Sequence, residues 1–137
     1  MGMNYLLDDP QLKEKLYFTK THDWVYLDGR IAYVGVTKYK CAECKDEVAF
    51  EMSGVFTYKR EGSTYGKVHC GDITIDINMP VAGKLVQVNR QLLTKSKADL
   101  LKLQVPDNWL GMILPDEIQT NHLLSSSEYL SLLATQH

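Results

Sequence analysis

The chain has 137 residues, a formal net charge of −2 and a sequence pI of about 6.1. This length fits one compact domain that can bury a core without help from disulfides or metal. The slightly acidic balance offers no basic field for a nucleic-acid backbone, and no apolar run approaches the ~20 residues of a membrane-spanning helix. Residues 1–10 lack the basic and apolar regions of a secretion signal. We therefore expect a cytoplasmic protein that binds neither nucleic acid nor membrane.

The chain is predicted to begin with an extension that precedes one domain. Residues 1–16 mix acidic residues, a proline and spaced leucines, which indicates a turn or short helix that caps the fold. Residues 17–137 are interpreted as the single domain.

The first part of this domain is predicted to be a β-hairpin followed by a short helix. Two β-rich runs, 23–27 and 31–36, flank Asp28-Gly29, and glycine supplies the positive φ that tight hairpin turns need. The alternation is lost over 37–45, where Thr37 is a candidate N-cap for one or two helical turns.

The rest of the domain is predicted to consist of short strands and one helix at the end. The β-rich stretch 65–77 is interrupted at Gly71-Asp72, which predicts two strands joined at a tip. Ser125 precedes an apolar pattern that extends to Leu133, and Glu128 lies in its first turn. This arrangement is typical of the start of a helix. The other predicted elements are strands at 46–52, 84–88, 100–105 and 109–114, a turn at 79–83 and a loop or single helical turn at 89–99. Such a series of short strands indicates a mainly β sandwich or flattened barrel with a C-terminal helix.

Three cysteines and one histidine are candidates for a metal site. Cys41 and Cys44 form a C-x-x-C on the predicted short helix, and His69-Cys70 lies at the predicted tip. An odd number of cysteines without a secretion signal argues for reduced thiols, and a Cys₃His set suits tetrahedral zinc. The alternatives are that the cysteines are small apolar core residues, or that the C-x-x-C is redox-active, although no thioredoxin-like βαβ pattern surrounds it.

The remaining polar and aromatic residues favour structural roles. His22 is interpreted as a structural or partner-contact residue at a strand start rather than a general base, and Trp24 and Trp109 as packing residues. The scattered acids Glu51, Asp72 and Asp76 are expected on solvated faces. Neither a nucleophile elbow, nor a zinc-protease motif, nor a phosphate-binding glycine loop is found, so we expect a chain that is not an enzyme.

Several segments, in order along residues 17–133, resemble the H proteins of the glycine cleavage system. They are Thr19 to Val25, Ala32 to Tyr39, Asp46 to Glu51, Pro80 to Asn89, Trp109-Leu110 and Leu124 to Tyr129. The Thr-His-Asp-Trp-Val stretch is fairly specific, whereas Pro-x-x-Gly after a hairpin also occurs in biotinyl and other lipoyl domains. The resemblance implies a barrel-sandwich hybrid of the hammerhead type, without catalytic residues, that presents a lipoyl-lysine on a hairpin tip.

The resemblance fails at the residue that carries the chemistry. The family's lysine lies eight residues before the proline of the Pro-Val-x-Gly turn, and eight residues before Pro80 stands Asp72. Lipoate attachment forms an amide with a primary amine, and a carboxylate cannot replace that amine. Biotinyl domains carry Met-Lys-Met at the tip, which is also missing. Lys67 and Lys84 are the alternative attachment sites.

Three hypotheses follow. The first is a degenerate, non-lipoylated H-protein-like carrier with no cofactor that acts as a protein-interaction module. The second is a functional lipoyl carrier that uses Lys67 or Lys84. The third is a metal-binding module at Cys41, Cys44, His69 and Cys70, with zinc as its ion. The partners that the resemblance implies are the glycine cleavage enzymes: the pyridoxal-phosphate decarboxylase, the aminomethyltransferase and the dihydrolipoyl dehydrogenase.

Overall fold

The computed structural model describes residues 15–44, 47–96 and 107–135. Within these ranges the fold is mainly β, with ten strands, one 3-10 turn and one α-helix. The strands are β1 Leu16–Phe18, β2 Asp23–Asp28, β3 Ile31–Val36, β4 Glu47–Met52, β5 Tyr58–Lys59, β6 Thr64–Cys70, β7 Ile73–Asn78, β8 Gly83–Val88, β9 Thr94–Ser96 and β10 Gly111–Pro115. The 3-10 turn covers Arg90–Leu92, and the helix, α1, covers Ser126–Thr135.

The strands form two antiparallel sheets that remain open. One sheet has six strands in the order β1-β2-β3-β10-β8-β5, and the other has four in the order β7-β6-β4-β9. The main core contains fully buried residues from both sheets, among them Val34, Leu85 and Ile113 from the first and Val68 and Ile77 from the second. The expected β sandwich with a C-terminal helix is confirmed.

The hairpin predicted around Asp28-Gly29 is confirmed, with strands β2 and β3 in register from Asp23↔Val36 to Asp28↔Ile31. Gly29 adopts a φ of +61°, the left-handed conformation that glycine reaches without a steric penalty. Further along this pair, Gly35 lies opposite Trp24, and a Cβ added to Gly35 would meet the indole at 2.7 Å. The missing side chain of Gly35 therefore makes room for the buried Trp24.

A second, smaller core lies between the six-stranded sheet and α1. It consists of Leu16, Phe18, Trp24, Tyr129 and Leu133. The rings of Phe18 and Tyr129 stack with centroids 4.4 Å apart. These contacts confirm a packing role for Trp24, and Trp109 packs at the edge of the same cluster against Tyr33.

The predicted capping of the C-terminal helix is also confirmed. The backbone N–H of Glu128 donates to the Ser125 hydroxyl at 3.2 Å, and the Glu128 carboxylate accepts from the backbone N–H of Ser125 at 2.8 Å. This reciprocal pair is a capping box. Hydrogen bonds from the backbone N–H and the side chain of Ser125 lower the pKa of the Glu128 carboxyl.

The short helix predicted over 37–45 is wrong for the described residues 37–44. The backbone N–H groups of Lys40, Ala42 and Cys44 each donate to the carbonyl three residues earlier, so the segment is a series of tight turns. Thr37 does accept from the Tyr39 N–H at 3.3 Å, but no α-helix follows. One helical turn fixes many dihedrals for few hydrogen bonds, and the segment is bent instead by the tertiary contacts of its side chains.

Other predicted elements fall partly outside the described residues. The loop or helical turn predicted over 89–99 contains the 3-10 turn at Arg90–Leu92 and strand β9. The strand predicted over 100–105 lies outside the described residues, as does most of the extension over 1–16. Within that extension, Leu16 belongs to β1 and pairs with Tyr26.

Candidate functional site at the hairpin tip

The tip predicted at Gly71-Asp72 is a two-residue turn between β6 and β7. Cys70 and Ile73 face each other across it as the last pair of the hairpin. Gly71 has a φ of +65°, as glycine does at the first position of a tight hairpin turn, and both Gly71 and Asp72 are exposed. Asp72 therefore presents its carboxylate to solvent at the end of a β-turn.

His69 and Cys70 point to opposite faces of the sheet. Successive strand residues alternate between faces, so Cys70 is buried while His69 lies on the outer face. There, His69 Nε2 is 2.7 Å from Oε1 of Glu51 and Nδ1 is 3.3 Å from the Thr74 hydroxyl. Neighbours in the sequence are thus separated by the pleat of the strand.

The buried side of the tip carries a disulfide between Cys70 and Cys44. Their Cα atoms are 5.3 Å apart, and the bond links the end of β6 to the turns over 37–44. The interpretation of reduced thiols is therefore wrong for this pair. The pairing could not be predicted from the sequence because 26 residues separate the two cysteines.

The proposed four-residue metal site is not assembled in the described part of the chain. The described residues hold no group of three or more His, Cys, Asp or Glu side chains placed to bind an ion. Cys44 and Cys70 bond to each other and cannot act as thiolate ligands while the disulfide is closed. His69 faces away from Cys70, and Cys41 is buried as the small apolar alternative anticipated.

The two alternative attachment lysines lie on strands and not at turns. Lys67 is on β6, an interior strand, between Glu51 of β4 and Asp76 of β7 in register. Lys84 is on β8 in the other sheet, between Tyr58 and Leu114. Both side chains are exposed. Glu51, Asp72 and Asp76 are exposed as expected, although Glu51 contacts His69.

A buried ion pair, which the sequence analysis missed, fixes the turns beside the tip. Lys40 Nζ lies 3.0 Å from Asp23 Oδ1 and donates to the Thr21 carbonyl at 2.6 Å. Asp23 Oδ2 also accepts from the hydroxyls of Thr21 and Thr19, at 2.6 and 3.2 Å. Burial raises the pKa of the Asp23 carboxyl, and the Lys40 cation opposes that rise. The one hint in the sequence is a charged residue at the start of the apolar strand β2.

Tyr129 ties this region to the C-terminal helix. Its hydroxyl is 2.7 Å from Nδ1 of His22 and 2.8 Å from the Thr37 hydroxyl. Burial raises the pKa of the Tyr129 hydroxyl, so the group stays protonated and can donate one hydrogen bond and accept another. This contact supports the structural interpretation of His22, which has a φ of +66°.

Two open sheets with a common core, a hairpin that ends in an exposed two-residue turn and one C-terminal helix are features of the lipoyl-carrier fold. The sequence model of the family described as "Glycine cleavage H-protein" matches residues 16–136. The chain belongs to this family.

The individual relatives agree with that assignment. The glycine cleavage system H protein of Thermoanaerobacter sp. (strain X514) is 28% identical over 124 residues, which cover 90% of this chain and 97% of the relative. That of Thermoanaerobacter pseudethanolicus (strain ATCC 33223 / 39E) is 29% identical over 121 residues, with 88% and 94% covered. The crystal structure of an H protein from Mycobacterium marinum superposes with a TM-score of 0.73 at 22% identity, covering 88% of this chain and 97% of that one, and thereby matches the fold.

The described residues contain no helix that is both long and apolar enough to cross a membrane.

Proposed function

We propose that this H-protein-family domain is a non-lipoylated carrier homologue that acts by binding another protein around the β6–β7 hairpin. The observation that carries the proposal is the exposed carboxylate of Asp72 at the turn. The lipoyl carboxyl must condense with an amine, and Asp72 supplies a second carboxylate instead. H proteins carry a group between enzymes and do not catalyse, and we propose no catalytic role here.

The surroundings of Lys67 argue against a displaced attachment at that residue. Its backbone is hydrogen-bonded into an interior strand, and exposed Glu51 and Asp76 lie beside it on the same face. A modifying enzyme that recognises a lysine on a protruding turn would meet a flat sheet with acidic neighbours.

Lys84 has the same disadvantage in the other sheet. It lies on β8 between β5 and β10, directly beside Leu114 and Tyr58. Neither lysine offers the free reach of a residue at a two-residue turn.

A contact surface at the tip is supported by an apolar side chain among polar ones. Ile73, directly after the exposed carboxylate of Asp72, is 38% exposed, and it lies on the face of the hairpin opposite to Lys67, His69 and Asp76. An exposed apolar residue beside charged groups suits a protein interface, in which a small apolar centre is surrounded by a polar rim. Because the chain belongs to this family, we propose the glycine cleavage enzymes as its partners. We propose the cytoplasm as the compartment in which they meet.

The first test is the intact mass of the full chain after co-expression with a lipoate ligase. We expect the unmodified mass, while an authentic H protein expressed in the same cells gains one lipoyl group. A mass increase on this chain would overturn the proposal. Lys67→Arg and Lys84→Arg variants would then show which amine carries the group.

The second test concerns the contact surface. Binding of the three glycine cleavage enzymes to the full chain is measured by calorimetry, and we expect at least one to bind. Ile73→Asp should weaken that binding, whereas Ile118→Asp, at an exposed isoleucine on the segment after β10, should leave it unchanged. Equal affinities of both variants, or no binding by any of the three, would count against an interface with these enzymes at the hairpin.

A further inference from the structure

The end of β6 extends past its pairing with β4 and carries a disulfide-bonded cysteine. β6 pairs with β4 from Gly66 to His69, so Cys70 lies one residue beyond the last pair. At that point Cys70 pairs with Ile73 across the turn and bonds to Cys44 through the disulfide. The disulfide is thus the covalent connection between the tip and the turns over 37–44.

The disulfide is buried, but it lies next to exposed residues. Cys44 and Cys70 are 4% and 6% exposed, yet the residues next to them in the sequence, Glu43 and Gly71, are exposed. A small local opening of the tip would admit a thiol to either sulfur. Both cysteines belong to the main hydrophobic core, so the exchange requires the tip to open at the exposed turn beside them.

The cellular compartment also bears on whether a disulfide is structural or redox-active. We expect this chain in the cytoplasm, where thiols are kept reduced and the disulfides that do form are usually transient, catalytic or redox-sensing. A disulfide that lies beside an exposed turn in such a compartment matches the redox-active kind better than a permanent structural cross-link.

We propose that Cys44 and Cys70 form a reversible redox site that exchanges with dithiols, and that its reduction releases the hairpin tip from the turns over 37–44. The redox step stands on the disulfide itself. Its consequence for a partner rests on the proposed function, because the contact surface is the tip.

Reduction of the disulfide proceeds in two exchange steps. One thiolate of the dithiol attacks one sulfur of the Cys44–Cys70 bond, forms a mixed disulfide and displaces the other cysteine as a thiolate, which takes up a proton. The second thiol of the reductant then attacks, as its thiolate, the reductant's own sulfur in the mixed disulfide and displaces the remaining cysteine as a thiolate, which is also protonated, and the reductant leaves as a cyclic disulfide. The reductant loses two electrons and two protons, and the two cysteines gain them as thiols.

The test equilibrates the full-length protein with mixtures of reduced and oxidised dithiothreitol, without denaturant. The thiols are then quenched with N-ethylmaleimide, and the adducts at each cysteine are located by peptide mass spectrometry. We expect Cys44 and Cys70 to gain adducts together at one ratio of the couple and to lose them when oxidant is restored, while the far-ultraviolet circular dichroism stays constant. Labelling of both cysteines in the oxidised protein, or reduction only after denaturation, would refute the redox site.

Hydrogen exchange tests the release of the tip. Amides of residues 71–73 should exchange about tenfold faster after reduction, whereas those in the middle of β6 should change little. Cys70→Ser should reproduce the fast exchange in the absence of reductant, and the matched Cys41→Ser variant should keep both the disulfide and the slow exchange. If Cys70→Ser does not fold, wild-type protein reduced and alkylated in the native state replaces it. Equal exchange at the tip in both redox states would overturn the release.

These readouts are independent of lipoylation. An unmodified protein whose disulfide is inert would leave the proposed function standing and remove the redox site. A lipoylated protein with a reversible disulfide would do the reverse.

Discussion

Lys40 Nζ lies 3.0 Å from Asp23 Oδ1, and both side chains are almost completely excluded from solvent. The pair joins the turns that carry Cys44 to the start of β2. Removing one partner of a buried ion pair leaves the other charge without compensation. We therefore expect Lys40→Met to lower the free energy of unfolding by about 3–5 kcal/mol, measured by urea denaturation. Lys38→Met, at an exposed residue of the same turns, removes a cation 5.3 Å from the Tyr39 ring and should lower the free energy of unfolding by no more than about 0.5–1 kcal/mol.

The effect of Lys40→Met should depend on pH in a definite direction. Burial raises the pKa of Asp23 in the folded protein, and Lys40 limits that rise. A carboxyl with a raised folded pKa contributes stability that is complete below its unfolded pKa and is lost as the pH rises through the folded pKa. Without Lys40 this pKa rises further, so the deficit of Lys40→Met should be smaller near pH 4 than near pH 7. A deficit that is constant with pH would contradict the role of the Asp23 charge.

The hydroxyl of Tyr129 should contribute to stability independently of its ring. Tyr129→Phe keeps the stacking on Phe18 but leaves His22 Nδ1 and the Thr37 hydroxyl without their common partner. We expect a loss of about 1–3 kcal/mol in thermal or urea unfolding. The control is a double-mutant cycle with Thr37→Val, in which the losses should be less than additive. Strict additivity would mean that the two hydroxyls do not interact.

The capping box of α1 should give the protein an acid-sensitive contribution. The hydrogen bond from the Ser125 N–H lowers the folded pKa of Glu128. The stabilisation is therefore present above the unfolded pKa and is lost as the pH falls through the folded pKa. Glu128→Gln should flatten the dependence of the unfolding free energy on pH below about pH 5. Ser125→Ala removes the hydroxyl that accepts from the Glu128 N–H and should lower stability by about 1 kcal/mol at pH 7.

Replacing the carboxylate at the tip with an amine should restore modification. The φ of Asp72 is not positive and its side chain is exposed, so the turn can accommodate a lysine without strain. We expect Asp72→Lys to gain one lipoyl group on co-expression with a lipoate ligase, as judged by intact mass. Asp76→Lys, on strand β7 of the same hairpin, is the matched control and should remain unmodified. An unmodified Asp72→Lys protein would mean that recognition of this tip has been lost along with the lysine.

Local chemistry was sufficient to predict several elements of this chain. Gly29 and Gly71 marked hairpin turns because glycine tolerates positive φ, and Ser125 with Glu128 marked the start of α1 because those side chains satisfy the first N–H groups of a helix. The ordered motifs indicated the family, and the identity of residue 72 was enough to question lipoylation.

What the sequence could not determine depends on contacts between distant residues. The disulfide between Cys44 and Cys70, the Asp23–Lys40 pair and the bond from Tyr129 to His22 each join segments that only the packing of the two sheets and α1 brings together. The same packing bent 37–44 into turns where local propensity predicted a helix. The pleat of β6 separated His69 from Cys70, because consecutive strand residues face opposite sides whatever their chemistry. Local propensities thus determined the turns, strands and helix start, and the tertiary structure decided which side chains meet.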